Sequence, residues 1–449
     1  MKKHLAQFFT PSAKAESNQL IKLAIPAILA QLAQMSFGVI DTIMAGQYSA
    51  DALAAVAIGV SIFNPIIVFI IGIFLALSPI TSQYNGEENK HGVKRAFQTG
   101  VIMSLILALP SAIILVSLEP LMWAIGITEE IIPLASGYLS VLAWGVFPLY
   151  FFFALRFCNE GMFATKAIMY CSIIALPFNV ACNYWFINGG WGVPAMGAIG
   201  VAWATLVVWS IMAISLVIYT LTSARYHGFN LFNTWLKPRL EDYTEILKIG
   251  TPMGIGLGLE VALFGAVGLM IGRYSVPDIA GHQIAINISA LAYTLSLGLS
   301  IAVTARVGYH IGRKDPEQAR QTGFMGIWFG VFISLFTATC MVLFHQHFIA
   351  VFTSDELVFA VASQLIILAA IFQLSDAVQV NASGALRGMK DTKIPMYICM
   401  VAYWLIGFPI GYVLAEFGGW GVQGYWIAII CGLTISAALM THRFNKLTH

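Results

Sequence analysis

Twelve long apolar stretches constrain this chain more than any other feature. A membrane-crossing helix needs about 20 mostly apolar residues, because an α-helix rises about 1.5 Å per residue across a hydrocarbon core of about 30 Å. Stretches of that kind lie near residues 19–44, 54–82, 97–118, 132–156, 164–187, 196–222, 246–272, 281–306, 322–345, 357–383, 394–415 and 424–441. They are continuous rather than alternating, as from Val101 to Leu118. Helices fit that pattern and barrel strands do not. The chain is 59% hydrophobic and 10% charged, against about 25% charged in a soluble domain. It has too few charges to cover a water-facing surface. The formal charge of +2 argues against a nucleic-acid partner.

Positive residues set the expected orientation. With the loops numbered alternately, every Lys and Arg except Arg273 falls on one side together with both termini. The positive-inside rule makes that side cytoplasmic, and the asymmetry requires an even helix count. The start of the chain, through Gln19, is too polar for a signal peptide. This pattern gives a multi-pass inner-membrane protein with cytoplasmic termini as the expectation. The cysteines at 158, 171, 182, 340, 399 and 431 form neither a CxxC nor a Cys/His cluster. They read as small core residues, not as a disulfide framework or zinc site.

The chain repeats itself. Residues 160–170 (EGMFATKAIMY) align with 387–397 (RGMKDTKIPMY), and Gly189-Gly-Trp-Gly-Val193 recurs as Gly418-Gly-Trp-Gly-Val422. Pro26 corresponds to Pro252, each following a lysine, Lys22 or Lys248. The offset of 226–229 residues spans six helices. An even number gives both halves the same orientation, related by an axis along the membrane normal. The expected architecture is an all-α membrane protein of two pseudo-symmetric six-helix lobes. Residues 1–222 form one lobe, 244–449 the other, and the polar segment 223–243 a cytoplasmic linker. No sequence signal marks an oligomer interface, so the expectation is a monomer.

Ionisable groups inside spans are costly and mark function. Asp41, Glu260 and Asp376 stand within the expected spans, and none has a Lys or Arg three or four residues away. Each needs a cavity or a partner, which makes them candidates for binding a coupling ion or a cationic substrate. Helix capping or packing is the plainer alternative, strongest for Asp41 near a helix end. At the repeat offset Asp41 aligns with Val267, Glu260 with Gln34 and Asp376 with Leu149. The lobes thus share a scaffold and differ in chemistry. Two carboxylates can hold Na⁺ with hard oxygen ligands or share a proton, and the sequence leaves Na⁺ and H⁺ both open.

Polar neighbours complete the candidate sites: Tyr138, Asn179 and Asn183 in the first lobe, and Gln283, Asn287 and Tyr293 in the second. Interhelical hydrogen bonding explains such residues equally well. Phe264 and Phe372 lie four residues from Glu260 and Asp376, where a ring can hold a lipophilic cation, with a lipid- or core-facing ring as the plainer alternative. Asp355 lies in an outer loop with Glu356, where solvation is the plainer reading and an acidic mouth that attracts cations the alternative. Pro26 and Pro252 remove helical hydrogen bonds and are candidate hinges, with ordinary fixed kinks as the alternative. There is no GxxxxGK[ST] loop, no HExxH, no credible nucleophile elbow and no TVGYG filter. The expectation is therefore not an enzyme.

These residues resemble the multidrug and toxic compound extrusion (MATE) family, in its NorM-like bacterial branch. The marks are Val39-Ile-Asp-Thr-Ile-Met-Ala-Gly46, Glu160-Gly-Met162 with Thr165-Lys166, Ala385-Leu-Arg-Gly-Met389 with Asp391-Thr-Lys393, and the acidic Glu260 and Asp376. The resemblance covers nearly the whole chain. It implies a V-shaped, two-bundle transporter that exports lipophilic cations, such as fluoroquinolones and the dye ethidium, in exchange for Na⁺ or H⁺. It implies that Glu260 and Asp376 bind the coupling cation, as a Na⁺ site in the sodium case. Asp41 matches a functional carboxylate with Asn179 beside it, and Ser61, Phe264, Tyr293 and Asp355 match positions around drug cations. Some relatives carry Tyr near the cation site where this chain has Phe372, which loses a hydroxyl and keeps the ring. A major facilitator would need a GxxxDRxGRR-like loop after the second helix, and residues 84–95 lack it. The rival readings are a lipid-linked precursor flippase, which would need a basic cavity for phosphates, and a membrane channel or enzyme.

Overall fold

The computed structural model describes residues 11–190 and 192–449. The first ten residues and Trp191 of the repeated GGWGV motif lie outside the described residues. Among the described residues, 12 helices are long and apolar enough to cross a membrane. They are α1 (Pro11–Tyr48), α2 (Ala50–Gly86, with a kink at Ala76), α3 (Lys90–Val116), α4 (Ile132–Gly161), α5 (Thr165–Asn188) and α6 (Ala198–Thr222). Then follow α7 (Leu240–Ile271), α8 (Val276–Gly312), α9 (Pro316–Ala350), α10 (Glu356–Gly388), α11 (Lys393–Phe417) and α12 (Gly421–Leu447). The twelve expected spans each fall on one of them. Large apolar side chains such as Leu109, Ile113, Trp144, Phe336 and Leu343 face outward, as a lipid-facing surface requires.

The repeat seen in the sequence is built into the backbone. Asn89 caps α3 by accepting from Gly92 N, and its repeat partner Asp315 caps α9 by accepting from Gln318 N. Each cap is worth about 1 kcal/mol. The residues before them, Glu88 and Lys314, both hold positive φ, at 57° and 59°. Phe163 and Lys390, another repeat pair, do the same at 62° and 61°. A Cβ on Gly161 would lie 2.6 Å from Ser78 O, and one on Gly388 would lie 2.8 Å from Thr304 O. Ser78 and Thr304 are themselves repeat partners. Both halves thus use glycine to bring α4 onto α2 and α10 onto α8 at backbone distance.

The chain forms two compact units. One holds the chain up to Ile28 together with Pro252–His449, and the other holds Leu29–Thr251. The boundaries fall inside α1, two residues beyond Pro26, and inside α7, at Pro252. Residues 223–243, read from the sequence as the link between lobes, lie within the Leu29–Thr251 unit. Gln98 on α3 holds them: its Nε2 donates to Leu231 O (2.7 Å) and Thr234 O (2.8 Å), and its Oε1 accepts from Leu236 N (2.9 Å).

Small residues explain the split helices. A Cβ on Gly298 of α8 would meet the Ile28 backbone at 2.7 Å, so the first half of α1 packs on α8. A Cβ on Gly250 of α7 would meet Ile73 O at 2.5 Å, so the first half of α7 packs on α2. Glu16 ties the start of α1 down further. It accepts from Arg306 Nε at 2.9 Å and Thr322 Oγ1 at 2.9 Å, pairs through its other oxygen with Arg306 Nη2, and meets His310 Nε2 at 3.2 Å. In α11, Met400–Gly407 and Val413–Phe417 are π-helical, on either side of Pro409. Such wide turns relieve a helix whose hydrogen-bond ladder is interrupted.

Candidate functional site

The Leu29–Thr251 unit buries Asp41. Its Oδ1 accepts from Asn179 Nδ2 (2.9 Å) and Asn183 Nδ2 (2.6 Å), and its Oδ2 accepts from Thr205 Oγ1 (3.2 Å). Asn179 and Asn183 stand one turn apart on α5, and Thr205 reaches in from α6. Asp41 is only 9% exposed and is held by three neutral donors, while Asn179 Oδ1 and Asn183 Oδ1 are themselves buried with no hydrogen-bond donor among the described residues. Asn179 and Asn183 were legible from their spacing. Thr205 was not, although a threonine in the middle of the apolar run Val201–Trp209 is the signal that could have found it. Tyr138 is buried against Gly59, whose absent side chain makes room for the ring. Ser61 is exposed and spends its hydroxyl on Ala57 O at 2.8 Å.

The other unit brings Glu260 of α7 and Asp376 of α10 within electrostatic reach of each other. Tyr293 of α8 and Tyr403 of α11 stand in the same neighbourhood. Glu260 Oε2 accepts from Gln379 Nε2 at 3.5 Å. Asp376 Oδ2 and Gln379 Oε1 are buried with no hydrogen-bond donor among the described residues. These are hard oxygen atoms left unsatisfied beside a second carboxylate. Buried polar atoms are nearly always satisfied in folded proteins, so this donor set fits a small hard cation or a proton. No group of three or more His, Cys, Asp or Glu assembles among the described residues, which leaves the carboxylate pair and its amide neighbour. Gln379 was missed from sequence. It lies three residues from Asp376 on the same helix face, and that spacing was the available signal.

A cavity of about 50 Å³ adjoins Glu260, lined by Gln379, Ser383, Arg387, Thr392 and Cys399 among others. The space suffices for a few water molecules. The expected ring faces are placed differently from one another. Phe372 is 3% exposed and packs between Phe264 (6.5 Å between centroids) and Trp426 (6.0 Å). Its ring is therefore buried beside other rings, and Phe264 is the more accessible of the pair. Gln283 and Asn287 are exposed and face each other along α8 at 3.5 Å. They do not join Glu260. Asp355 is the N-cap of α10, accepting from Leu357 N (2.8 Å) and Val358 N (3.1 Å).

Fold and site together define a multi-pass membrane protein built from a duplicated helical half, with carboxylates buried in both units. The MatE family model matches residues 26–185 and again 252–413, once in each half of the repeat. The chain belongs to the MatE family. It is 36% identical over 439 residues to the "Multidrug resistance protein NorM" of Vibrio vulnificus (strain YJ016), covering 97% of this chain and 96% of that one. It is 38% identical over 441 residues to the "Multidrug resistance protein MdtK" of Pectobacterium atrosepticum, covering 96% of each. Among solved structures, one described as the outward-facing conformation of a multidrug resistance MATE family transporter superposes with a TM-score of 0.88 at 20% identity, covering 96% of both chains. At that identity the superposition speaks for the fold.

Proposed function

We propose that this protein exports lipophilic organic cations, including fluoroquinolones and dyes such as ethidium, from a bacterial cytoplasm by antiport. The inward-moving ion is Na⁺, or H⁺ in its place. Relatives named as multidrug resistance proteins along nearly their whole length support the efflux reading. The single observation that carries the coupling is the Glu260–Asp376 pair, a buried Asp376 with an unsatisfied oxygen and a half-buried Glu260 that accepts from Gln379 at 3.5 Å. In this reading the coupling cation binds Glu260 and Asp376, Asp41 is a further cation-coupling carboxylate, and Asn179 and Asn183 line the cavity beside it. Coupling requires that each ligand bind two states with different affinity. Pro26 and Pro252 interrupt the helical ladder close to where α1 and α7 pass from one unit to the other, which suits them to bending between states. The Lys- and Arg-rich side is cytoplasmic, with both termini on it, and the transporter acts as a monomer.

Ethidium efflux from cells expressing wild type, Glu260→Gln or Asp376→Asn, with Na⁺ and pH varied independently, tests this. Loss in both variants, with wild-type activity following Na⁺, supports Na⁺ antiport at the pair. Dependence on the proton gradient alone changes the ion and keeps the site. Undiminished efflux in both well-expressed variants removes the pair from the mechanism.

A further inference from the structure

The two halves carry similar charges in different places. In the Leu29–Thr251 unit, Arg156 of α4 is 6% exposed. It donates from Nε to Glu160 Oε1 (2.8 Å), from Nη1 to Gln34 Oε1 (2.5 Å) and from Nη2 to Gln31 Oε1 (2.5 Å). The repeat offset maps Gln34 onto Glu260, Arg156 onto Ser383 and Glu160 onto Arg387. The matched glycine contacts of Gly161 and Gly388 anchor that register in the structure. So where one half seats a guanidinium against the helix that follows the proline, the other half has a carboxylate, a serine and a cavity. Its arginine stands one turn further along α10.

That cavity has a direction. Gln379, Ser383 and Arg387 line it at four-residue steps, so its wall on α10 covers about two helical turns. One end is Glu260, and the other is the Lys- and Arg-rich end of α10 and the start of α11, with Arg387 and Thr392. Arg387 Nη2 donates to Ser300 Oγ at 2.7 Å, a neutral hydroxyl that itself donates to Val380 O. A guanidinium binds a carboxylate more strongly than a hydroxyl, and Arg387 and Glu260 line the same cavity. A carboxylate stripped of its cation in a low-dielectric site needs another positive charge. The Arg156–Gln34 contact shows that this scaffold accepts a guanidinium at the corresponding place.

We propose that Arg387 is a tethered counter-cation that replaces the coupling cation at Glu260, and that the cavity between them is the cation's exit toward the Lys- and Arg-rich side. The proposal rests on the reading of Glu260 as the coupling site. Cation and Arg387 then compete for Glu260, which lowers the cation's affinity and speeds its release. Arg387 is a positioning residue in this scheme: it acts through Glu260 and does not touch the drug.

The test uses the full-length protein in proteoliposomes. Equilibrium binding of ²²Na⁺ and proton uptake are measured beside ethidium antiport, for wild type, Glu260→Gln, Arg387→Gln, Arg387→Lys and Ser300→Ala. Arg387→Gln should bind the coupling cation roughly tenfold tighter or more, while its antiport turnover falls by a similar factor. Arg387→Lys should restore turnover, and Ser300→Ala should keep it. Unchanged or weaker cation binding in Arg387→Gln overturns the proposal, as does full turnover. Loss of turnover in both Arg387→Gln and Ser300→Ala, with no gain in affinity, assigns Arg387 to packing and also overturns it. Wild-type cation binding by Glu260→Gln defeats the underlying coupling reading and is seen independently of the Arg387 variants.

Discussion

Asn183 Nδ2 donates to Asp41 Oδ1 at 2.6 Å, the shortest of three bonds that hold this buried carboxylate. Those donors satisfy a carboxyl oxygen pair that would otherwise be buried without partners. Asn183→Leu should cost about 1–3 kcal/mol, the penalty for a buried group left without a partner. A fall in the melting temperature of the detergent-purified protein would show it. Asp41→Asn keeps the shape and should melt close to wild type, so a loss of efflux in that variant would be functional and not structural.

The close approach of Gly161 to Ser78 O leaves no room for a side chain, because the obstructing atom is backbone. Gly161→Val should destabilise by about 3 kcal/mol or more through overpacking, and Gly388→Val by a similar amount. A Cβ on Gly258, in α7, would meet nothing within 4 Å. Gly258→Ala should be neutral or stabilising by up to about 1 kcal/mol, from helix propensity. Thermal melts of the three variants check the contrast, and equal behaviour would refute the backbone-contact argument.

Gln98 satisfies two carbonyls and one amide of the segment after α6 with a single side chain. Gln98→Leu should destabilise that segment by about 2 kcal/mol. The expected signature is faster protease cleavage between residues 224 and 238, with the transmembrane core still folded. Wild-type cleavage rates would mean that the segment is held by other contacts.

Glu16 accepts from Arg306 and Thr322 while only 6% exposed. Removing one member of a buried ion pair strands the other charge and typically costs about 3–5 kcal/mol. Glu16→Ala should therefore lower the melting temperature far more than Glu16→Ala combined with Arg306→Met, where neither charge remains. If the double variant is as unstable as the single one, the stranded charge is not the cause.

Much of this protein was legible from its residues. Twelve spans, their helical character and the duplication follow from apolar length and a fixed offset, both one-dimensional properties. The repeat partners Asn89 and Asp315 fill the same cap because the same local turn recurs. Asp41, Glu260 and Asp376 stood out because a charge is conspicuous in an apolar run, and the Asn179–Asn183 spacing pointed at one of them.

The tertiary structure decided what sequence spacing cannot encode. Gln379 and Thr205 are ordinary polar residues until folding carries them from other helices to Glu260 and Asp41. Phe372 looked like an open ring face, and packing against Phe264 and Trp426 closed it. The change of unit at Ile28 and Pro252, within unbroken helices, depends on backbone contacts between Gly298 and Ile28 and between Gly250 and Ile73. Those partners lie far apart in the chain. Hydrophobic length and local hydrogen bonding act between near neighbours and can be read along a sequence. The pairing of a buried charge, the filling of a cavity and the close approach of two backbones depend on which distant side chains arrive together, and only the folded chain settles that.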